Sequence, residues 1–420
     1  MRTLIAAMTA TVLASAAGAA PTIEYLTPGY FVSDLSADGS VYAGNVIFDF
    51  SYETFRWTAE EGFVRLGRAT VPVIGTGAGS PDISYDGTKV SATILSSDNR
   101  ATQGIWSETG GWVETMPPSP PGGIVLDNGY GSAWGLSGDG TTVTGFYWRS
   151  GPGSAHASAW TQADGMLPME TTPGRSARVN GANYDGSVAV GWEERMDGVW
   201  EPRVWINGVK STLVVTEGFS GAEAVNADGS VIVGSAWDAS AAKAVATIWR
   251  WNGSSYDTQY IGALPGTAAN FGGSYFTGVS DDGSIAVGGN RFGQSPGGPV
   301  DAIIWTPETG LMNGVDFIAS LGLALPPNTD LRGFYTVSAD GQVITGDLLR
   351  GADVQSFIIR LTNCPADING DELVDFADLN LLLGNFNTSG PTIPGDINGD
   401  GVVNFADLNL LLSVYNTACD

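Results

Sequence analysis

The chain has 420 residues, 59 of them Gly and 15% charged, with 44 Asp and Glu against 18 Lys and Arg for a formal charge of −26. A surface this acidic repels phosphate backbones and anionic headgroups, which excludes nucleic acid and membrane-surface partners and favours divalent cations. Low charge with abundant Gly and aromatics, and few runs of helical period, excludes disorder and points to a turn-rich all-β chain.

The first segment, MRTLIAAMTATVLASAAGAA, carries one basic residue, a run of small apolar residues and an Ala17-Gly18-Ala19 signature. It reads as a secretory signal peptide over residues 1–19, cleaved after Ala19, and it is too short for a membrane span. No later stretch approaches 18 consecutive apolar residues, so no transmembrane segment is expected. The expected location is secreted, extracellular or at the cell surface.

From residue 20 to 361 one unit recurs seven times: LSADGSVYAG, ISYDGTKVSA, LSGDGTTVTG, ANYDGSVAVG, VNADGSVIVG, VSDDGSIAVG and VSADGQVITG. Their aspartates are Asp38, Asp86, Asp139, Asp185, Asp228, Asp282 and Asp340. Asp-Gly between apolar runs predicts a two-residue hairpin turn, and the run after it alternates as a strand with one buried face should. About 20 residues on, six units carry a tryptophan segment at Trp57, Trp106, Trp160, Trp205, Trp249 and Trp305, read as repeated packing between units. Short pieces such as GFVRLG and GMLPM supply a fourth strand. Four strands per 43 to 58 residues is the arithmetic of a β-propeller of four-stranded blades, with a β-solenoid as the alternative. Seven blades are counted, six or eight if the long sixth unit merges or skips. The last unit lacks a fourth strand, and TIEYLT near the mature N-terminus is placed to complete it and close the ring.

These units resemble the HAF repeat of exported bacterial proteins over roughly residues 30 to 361. Asn183 and Asn226 depart from it by replacing the turn serine. The resemblance also implies a helical insertion before the last repeat, in GLMNGVDFIASLGLALPPNTDLRGFYTVSADG.

Residues 364–420 form a different unit. Asp367, Asn369, Asp371, Asp375 and Asp378 occupy positions 1, 3, 5, 9 and 12 of the loop DINGDELVDFAD. Asp396, Asn398, Asp400, Asn404 and Asp407 occupy the same positions of DINGDGVVNFAD, 29 residues later. Ca²⁺ takes six to eight hard oxygens, and position 7 adds the backbone carbonyls of Leu373 and Val402, so two calcium ions are expected. Gly401 suits the turn at position 6, where the first loop carries Glu372, so the first site is expected to be the weaker. Each loop leads into a helix, FADLNLLLGNF or FADLNLLLSVY, whose Phe376, Leu379, Leu382, Leu383 and Phe386 are mirrored by Phe405, Leu408, Leu411, Leu412 and Tyr415. No helix precedes either loop, which makes a pair of half EF-hands. Cys364 and Cys419 bracket the unit, and export places them where a disulfide persists, contributing roughly 4 kcal/mol by loop closure.

This unit resembles a type I dockerin. The resemblance implies docking onto a cohesin or another surface protein through loop positions 10 and 11. Phe376-Ala377 and Phe405-Ala406 stand there in place of the hydroxyl pairs common in that family.

No catalytic constellation stands out in the sequence. His156 is the one histidine, read as a solvated loop residue, and Glu60-Glu61 and Glu193-Glu194 read as solvated loop charges. Two functions are carried forward. The first is a non-catalytic binding or adhesion protein, with a glycan among its candidate ligands, attached through the calcium module; it expects no convergent carboxylate pair in the channel. The alternative is a polysaccharide-active enzyme, a glycoside hydrolase or lyase, with two carboxyls roughly 5–9.5 Å apart in an aromatic cleft.

Overall fold

A computed structural model describes residues 21–418 except 49–50, 71–79, 116–128, 150–154, 168, 216, 219, 271, 294–299, 352, 362–365, 370–372, 390–392 and 398–401. The expected leader 1–19, Cys364, Cys419, Asp371, Glu372, Asn398, Asp400 and Gly401 lie outside these residues. The chain divides into two compact units, Ile23–Arg360 and one containing Leu361–Asp420. Among the described residues no helix is long and apolar enough to cross a membrane.

The larger unit is a β-propeller built from antiparallel meanders. The first three sheets run Tyr30–Leu35 to Gly62–Thr70, Asp82–Ile83 to Gly111–Glu114, and Gly131–Leu136 to Gly165–Leu167, each four strands in chain order. The fourth runs from Ala177–Ala182 to Val209–Thr212. An eight-stranded sheet follows, in which two meanders beginning at Gly221–Val225 and Gly273–Val279 are joined by one parallel pair, Ala244 with Gly273. The last sheet combines Thr329–Val337, Val343–Arg350 and Asp353–Arg360 with the N-terminal strand Thr22–Tyr25. That strand takes the fourth place, where the Leu26 amide donates to the Ser356 carbonyl at 3.0 Å and Leu26 is buried. Inner strands touch their successors in sequence, and Thr329–Val337 touches Tyr30–Leu35, so the sheets close on themselves.

The turns differ from a two-residue hairpin. In the first copy the Gly39 amide donates to the Ser36 carbonyl at 2.9 Å, and Gly39 alone is left-handed, at φ 66°. Asp38 stays outside that region because its carboxylate works as a local acceptor, for Ser36 Oγ at 2.7 Å and the Ser40 amide at 2.9 Å. Backbone hydrogen bonds then link one turn to the next. The Ala37, Tyr85 and Tyr184 amides donate to the carbonyls of Tyr85, Gly138 and Ala227 at 2.9, 2.8 and 3.0 Å. The Asp281 amide donates to the Ala339 carbonyl at 2.8 Å, and Asp340 returns to Ala37 at 3.4 Å. Asn183 and Asn226 accept from Val188 and Val231 as the serine does, and their amide groups reach on to the Ala227 and Asp281 carbonyls.

The strand after each turn is buried on both faces, as in Lys89–Leu95 and Val188–Glu194, and not on one face as its alternation suggests. The reason is that each sheet is covered by a neighbour on either side. Core clusters straddle adjacent sheets: Val190 and Val204 pack with Ile232 and Trp249, and Val233 and Ile248 pack with Phe276 and Trp305. All six repeat tryptophans belong to such clusters or pack against them. The glycine closing the repeat is demanded by close approach. A Cβ on Gly44 or Gly234 would lie 1.9 or 2.2 Å from a carbonyl of its inner strand. The second unit carries Ala92 there, and its inner strand spans only Asp82–Ile83, leaving that neighbour out of the ladder. The insertion before the last repeat contains a short helix, α1 (Gly314–Ser320), capped by Asn313.

The smaller unit contains helices α2 (Phe376–Gly384) and α3 (Phe405–Ser413). Leu382, Leu411, Val374, Val403 and Ala366 form its core, with Leu379, Phe386, Leu408 and Tyr415 packed around them. The expected apolar faces are narrower than five residues each. Phe376 and Phe405 are 64% and 69% exposed, and Leu383 and Leu412 also face solvent, because each nine-residue helix has a single neighbour of its own length to bury against. Strands Leu373–Val374 and Thr417–Ala418 pair beside them.

Candidate functional site

The inner strands surround a cavity of about 430 Å³. Its wall comes from the two residues that precede the apolar-Ser start of each repeat. Register shifts in the ladder between Ala133 and Gly135, Val179 and Gly181, and Ala222 and Ala224 make bulges at Trp134, Asn180 and Glu223, and these residues line the cavity. Ser33, Thr277 and Tyr335 hold the corresponding place in other sheets. The next position along carries Asp34 and Asp82 in the first two sheets and Gly181, Ala224 and Gly278 in later ones.

Asp34 and Asp82 are in hydrogen-bonding contact. Asp34 Oδ2 accepts from the Ile83 amide at 3.0 Å, and Asp82 Oδ2 accepts from the Leu136 amide at 2.8 Å, each one sheet further round. Asp82 keeps a little surface toward the cavity but is enclosed by its walls. That burial first, and the Asp34 carboxylate second, hold it well above the usual carboxylate range. A carboxylate pair therefore does converge in the channel, contrary to the expectation for a binding protein. Its members touch, closer than either glycosidase spacing of roughly 5–9.5 Å. At the turn end, the Tyr85 hydroxyl donates across the ring to Asp281 Oδ1 at 3.0 Å, and that oxygen also accepts from the Ala227 amide.

The wall residues are held from behind. The Arg178 guanidinium lies 3.4 Å from the centre of the Trp134 ring, and its Nε donates to Asn180 Oδ1 at 2.6 Å. Burial brings Arg178 down to about 10, offset in part by Glu223. Asn180 Nδ2 donates to Glu223 Oε2 at 2.8 Å, and burial raises Glu223 against the pull of Arg178.

Two expectations are corrected in the fourth sheet and beside it. Glu193 is fully buried in a strand, not solvated in a loop. It pairs with Lys210 Nζ at 2.9 Å and Arg203 Nε at 3.3 Å, while its cross-strand neighbour Glu201 pairs with Arg203 Nη2 at 2.9 Å. His156 lies in the strand Ala155–Thr161, with Nδ1 3.0 Å from Arg149 Nη1; burial and then Arg149 bring it down to about 4. Glu60 and Glu61 are exposed at a turn, as read.

In the smaller unit the two loops are built alike. Asp375 and Asn404 cap α2 and α3, accepting from the Ala377 and Ala406 amides at 2.6 and 2.7 Å. Asp378 and Asp407, at position 12, are fully buried. Asp378 accepts from Ile368, Asn369 and Asp375 amides, and Asp407 from Ile397 and Asn404 amides. The position-12 carboxylates thus draw the start of each loop back onto its helix. Asp367, Asn369, Leu373, Asp396 and Val402 lie in the described parts of the loops. Among the described residues no three His, Cys, Asp or Glu side chains converge on one point. The donor set is entirely oxygen, the chemistry Ca²⁺ takes.

No family model matches the chain, and no curated protein matches it. Solved structures similar to it include the β-propeller domain of the Trilobed protease from Pyrococcus furiosus, 13% identical with a TM-score of 0.46, covering 80% of this chain and 98% of that one. An oligogalacturonate lyase from Vibrio parahaemolyticus is 11% identical with a TM-score of 0.49, covering 81% and 97%. TolB from Acinetobacter baumannii is 12% identical with a TM-score of 0.41, covering 78% of this chain and 66% of that one.

Proposed function

We propose that this is a secreted or cell-surface, non-catalytic binding protein. Its seven-bladed propeller takes a ligand, a glycan, in the central channel, and its C-terminal unit is a dockerin-like module that binds two calcium ions and attaches the protein to a partner. One observation carries the reading. The repeats agree at their turns and cores and diverge in polarity at the two consecutive positions that face the channel, which is where a repeat protein places its specificity. The channel carboxyls favour binding over turnover, because Asp34 and Asp82 are each spent on a backbone amide of the next inner strand.

In the C-terminal unit Asp367, Asn369, Asp375 and Asp378 would hold the first ion together with Asp371 and the Leu373 carbonyl. Asp396, Asn404 and Asp407 would hold the second with Asn398, Asp400 and the Val402 carbonyl. Bound calcium would neutralise these carboxylates and tie each loop to its helix.

Two measurements on the full chain test this. Calorimetry with calcium is expected to give two ions per chain, and no binding at millimolar calcium removes the module from the proposal. Incubation with an oligosaccharide panel is expected to show retention with no new reducing ends or unsaturated products; release of either would replace this reading with a polysaccharide-active enzyme.

A further inference from the structure

Side chains cross the channel at its turn end. Tyr85 stands in the second Asp-Gly turn and Asp281 in the sixth, with three turns between them on one side and two on the other. The Tyr85 hydroxyl nevertheless donates to Asp281 Oδ1 at 3.0 Å, so the pair spans the axis. Both residues are anchored to neighbouring turns. The Tyr85 amide donates to the Gly138 carbonyl, the Asp281 amide donates to the Ala339 carbonyl, and Asp281 Oδ1 also accepts from the Ala227 amide. The Tyr184 ring meets the Tyr85 ring in a T-shaped contact with centres 5.6 Å apart. Gly138, in the turn between theirs, leaves room for both: a Cβ there would lie 2.8 Å from a ring carbon of each. Burial, and then the Asp281 carboxylate, raise the Tyr85 phenol, which keeps its proton for the crossing bond.

The cavity runs from this crossing toward the other end of the inner strands. Ala37, Tyr85 and Ala339 line it at the level of the turns. Phe31 and Ser80 line it at the opposite end, where Ser80 is exposed.

Resting on the channel reading above, we propose that Tyr85 and Asp281 floor the channel, making it a one-mouthed pocket that takes the end of a glycan chain and not its interior. A channel open at both ends lets a chain thread through and be held anywhere along its length. A floored one admits only a terminus, which enters from the Phe31 side. The cavity of about 430 Å³ lies toward the small end of ligand sites, roughly 300–1,000 Å³, and suits one or two sugar rings. Its wall carries Asp34, Asp82 and Glu223 and, among the described residues, no Lys, Arg or His, so neutral sugars are the probes to use.

The test uses the full chain and calorimetry with cello-, xylo- and malto-oligosaccharides of two, four and six rings, then a much longer soluble linear chain of the series that binds. The two ends of a glycan differ chemically, so one protein per chain is expected for the hexaose and the long chain alike. Affinity should change by less than about twofold from four rings to six, because rings beyond the pocket add few contacts. Tyr85→Ala, which opens the floor, should raise the number of proteins held by one long chain above one. Tyr85→Phe keeps the ring against Tyr184 and should leave that number at one; unchanged melting of both variants shows that the fold is kept. If the native protein loads a long chain at several points, the floor is overturned and the channel reading stands, whether or not the variants fold. The same follows if Tyr85→Ala melts as the native protein does and still binds one per long chain. If no saccharide of any length binds, the channel reading fails and the floor with it.

Discussion

Asp82 and the turn aspartates Asp185 and Asp228 are shifted in opposite directions, and each direction has a local cause. Burial and the neighbouring Asp34 carboxylate keep the Asp82 proton on, whereas hydrogen bonds from Ser187 and Ser230 hold Asp185 and Asp228 below the usual range. For Asp82 the folded chain retains a proton that the unfolded chain loses above about pH 4, so stability falls as pH rises from there toward the raised folded value. For Asp185 and Asp228 the contribution is present at neutral pH and is lost below about pH 4. Asp82→Asn should therefore gain on the native chain by at most about 1.4 kcal/mol per pH unit above pH 4, with the difference vanishing near pH 4. Urea melts at pH 4, 5.5 and 7 measure this; parallel slopes for the two proteins would show that Asp82 titrates as an ordinary carboxylate. Glu193 illustrates how misleading a residue's type can be. As a buried anion pairing with Lys210 and Arg203, its replacement by Ala should cost about 3–5 kcal/mol, while Glu60→Ala at its exposed turn should cost nothing measurable in the same melts.

Among the elements, the strand Thr22–Tyr25 has the largest consequence for its length. It pairs with Asp353–Arg360 and covers an edge that would otherwise be left with unpaired amides and carbonyls. Leu26, just beyond it, packs with Val32, Phe55, Val343 and Ile358 from the first and last sheets. Leu26→Ala should lower stability by about 2–5 kcal/mol, read as a shift in the urea midpoint. An unchanged midpoint would mean that the closing strand contributes no packing of its own. The helices of the smaller unit work by a different economy. Each is only nine residues long and depends on its cap and on one or two buried leucines, Leu382 and Leu411.

For the molecule as a whole, two compact units with separate cores predict two unfolding transitions. Calcium at about 100 times its dissociation constant should stabilise the smaller unit alone, by about 2.7 kcal/mol per ion. Scanning calorimetry with calcium and with chelator checks this. A shift of the propeller transition, or of neither, would contradict the proposed binding of calcium in the 364–420 loops.

Much of the architecture was readable from local pattern. The Ser-x-Asp-Gly turns, the tryptophan strands, the completion of the last sheet by TIEYLT and the two FADLNLLL helices each depend on neighbours a few residues away, or on a repeat that announces itself. The channel wall is harder to see in the sequence, although its signal is present: just before the repeat starts, Ser33-Asp34, Pro81-Asp82, Trp134-Gly135, Asn180-Gly181, Glu223-Ala224, Thr277-Gly278 and Tyr335-Thr336 differ where the rest of the unit agrees. Such differences look like drift until a ring brings them to one axis. Tyr85 and Asp281, 196 residues apart, become hydrogen-bond partners only because successive sheets rotate about that axis. Local sequence decides which way a chain turns; which side chains meet depends on the sum of those turns, and that sum exists only once the ring has closed.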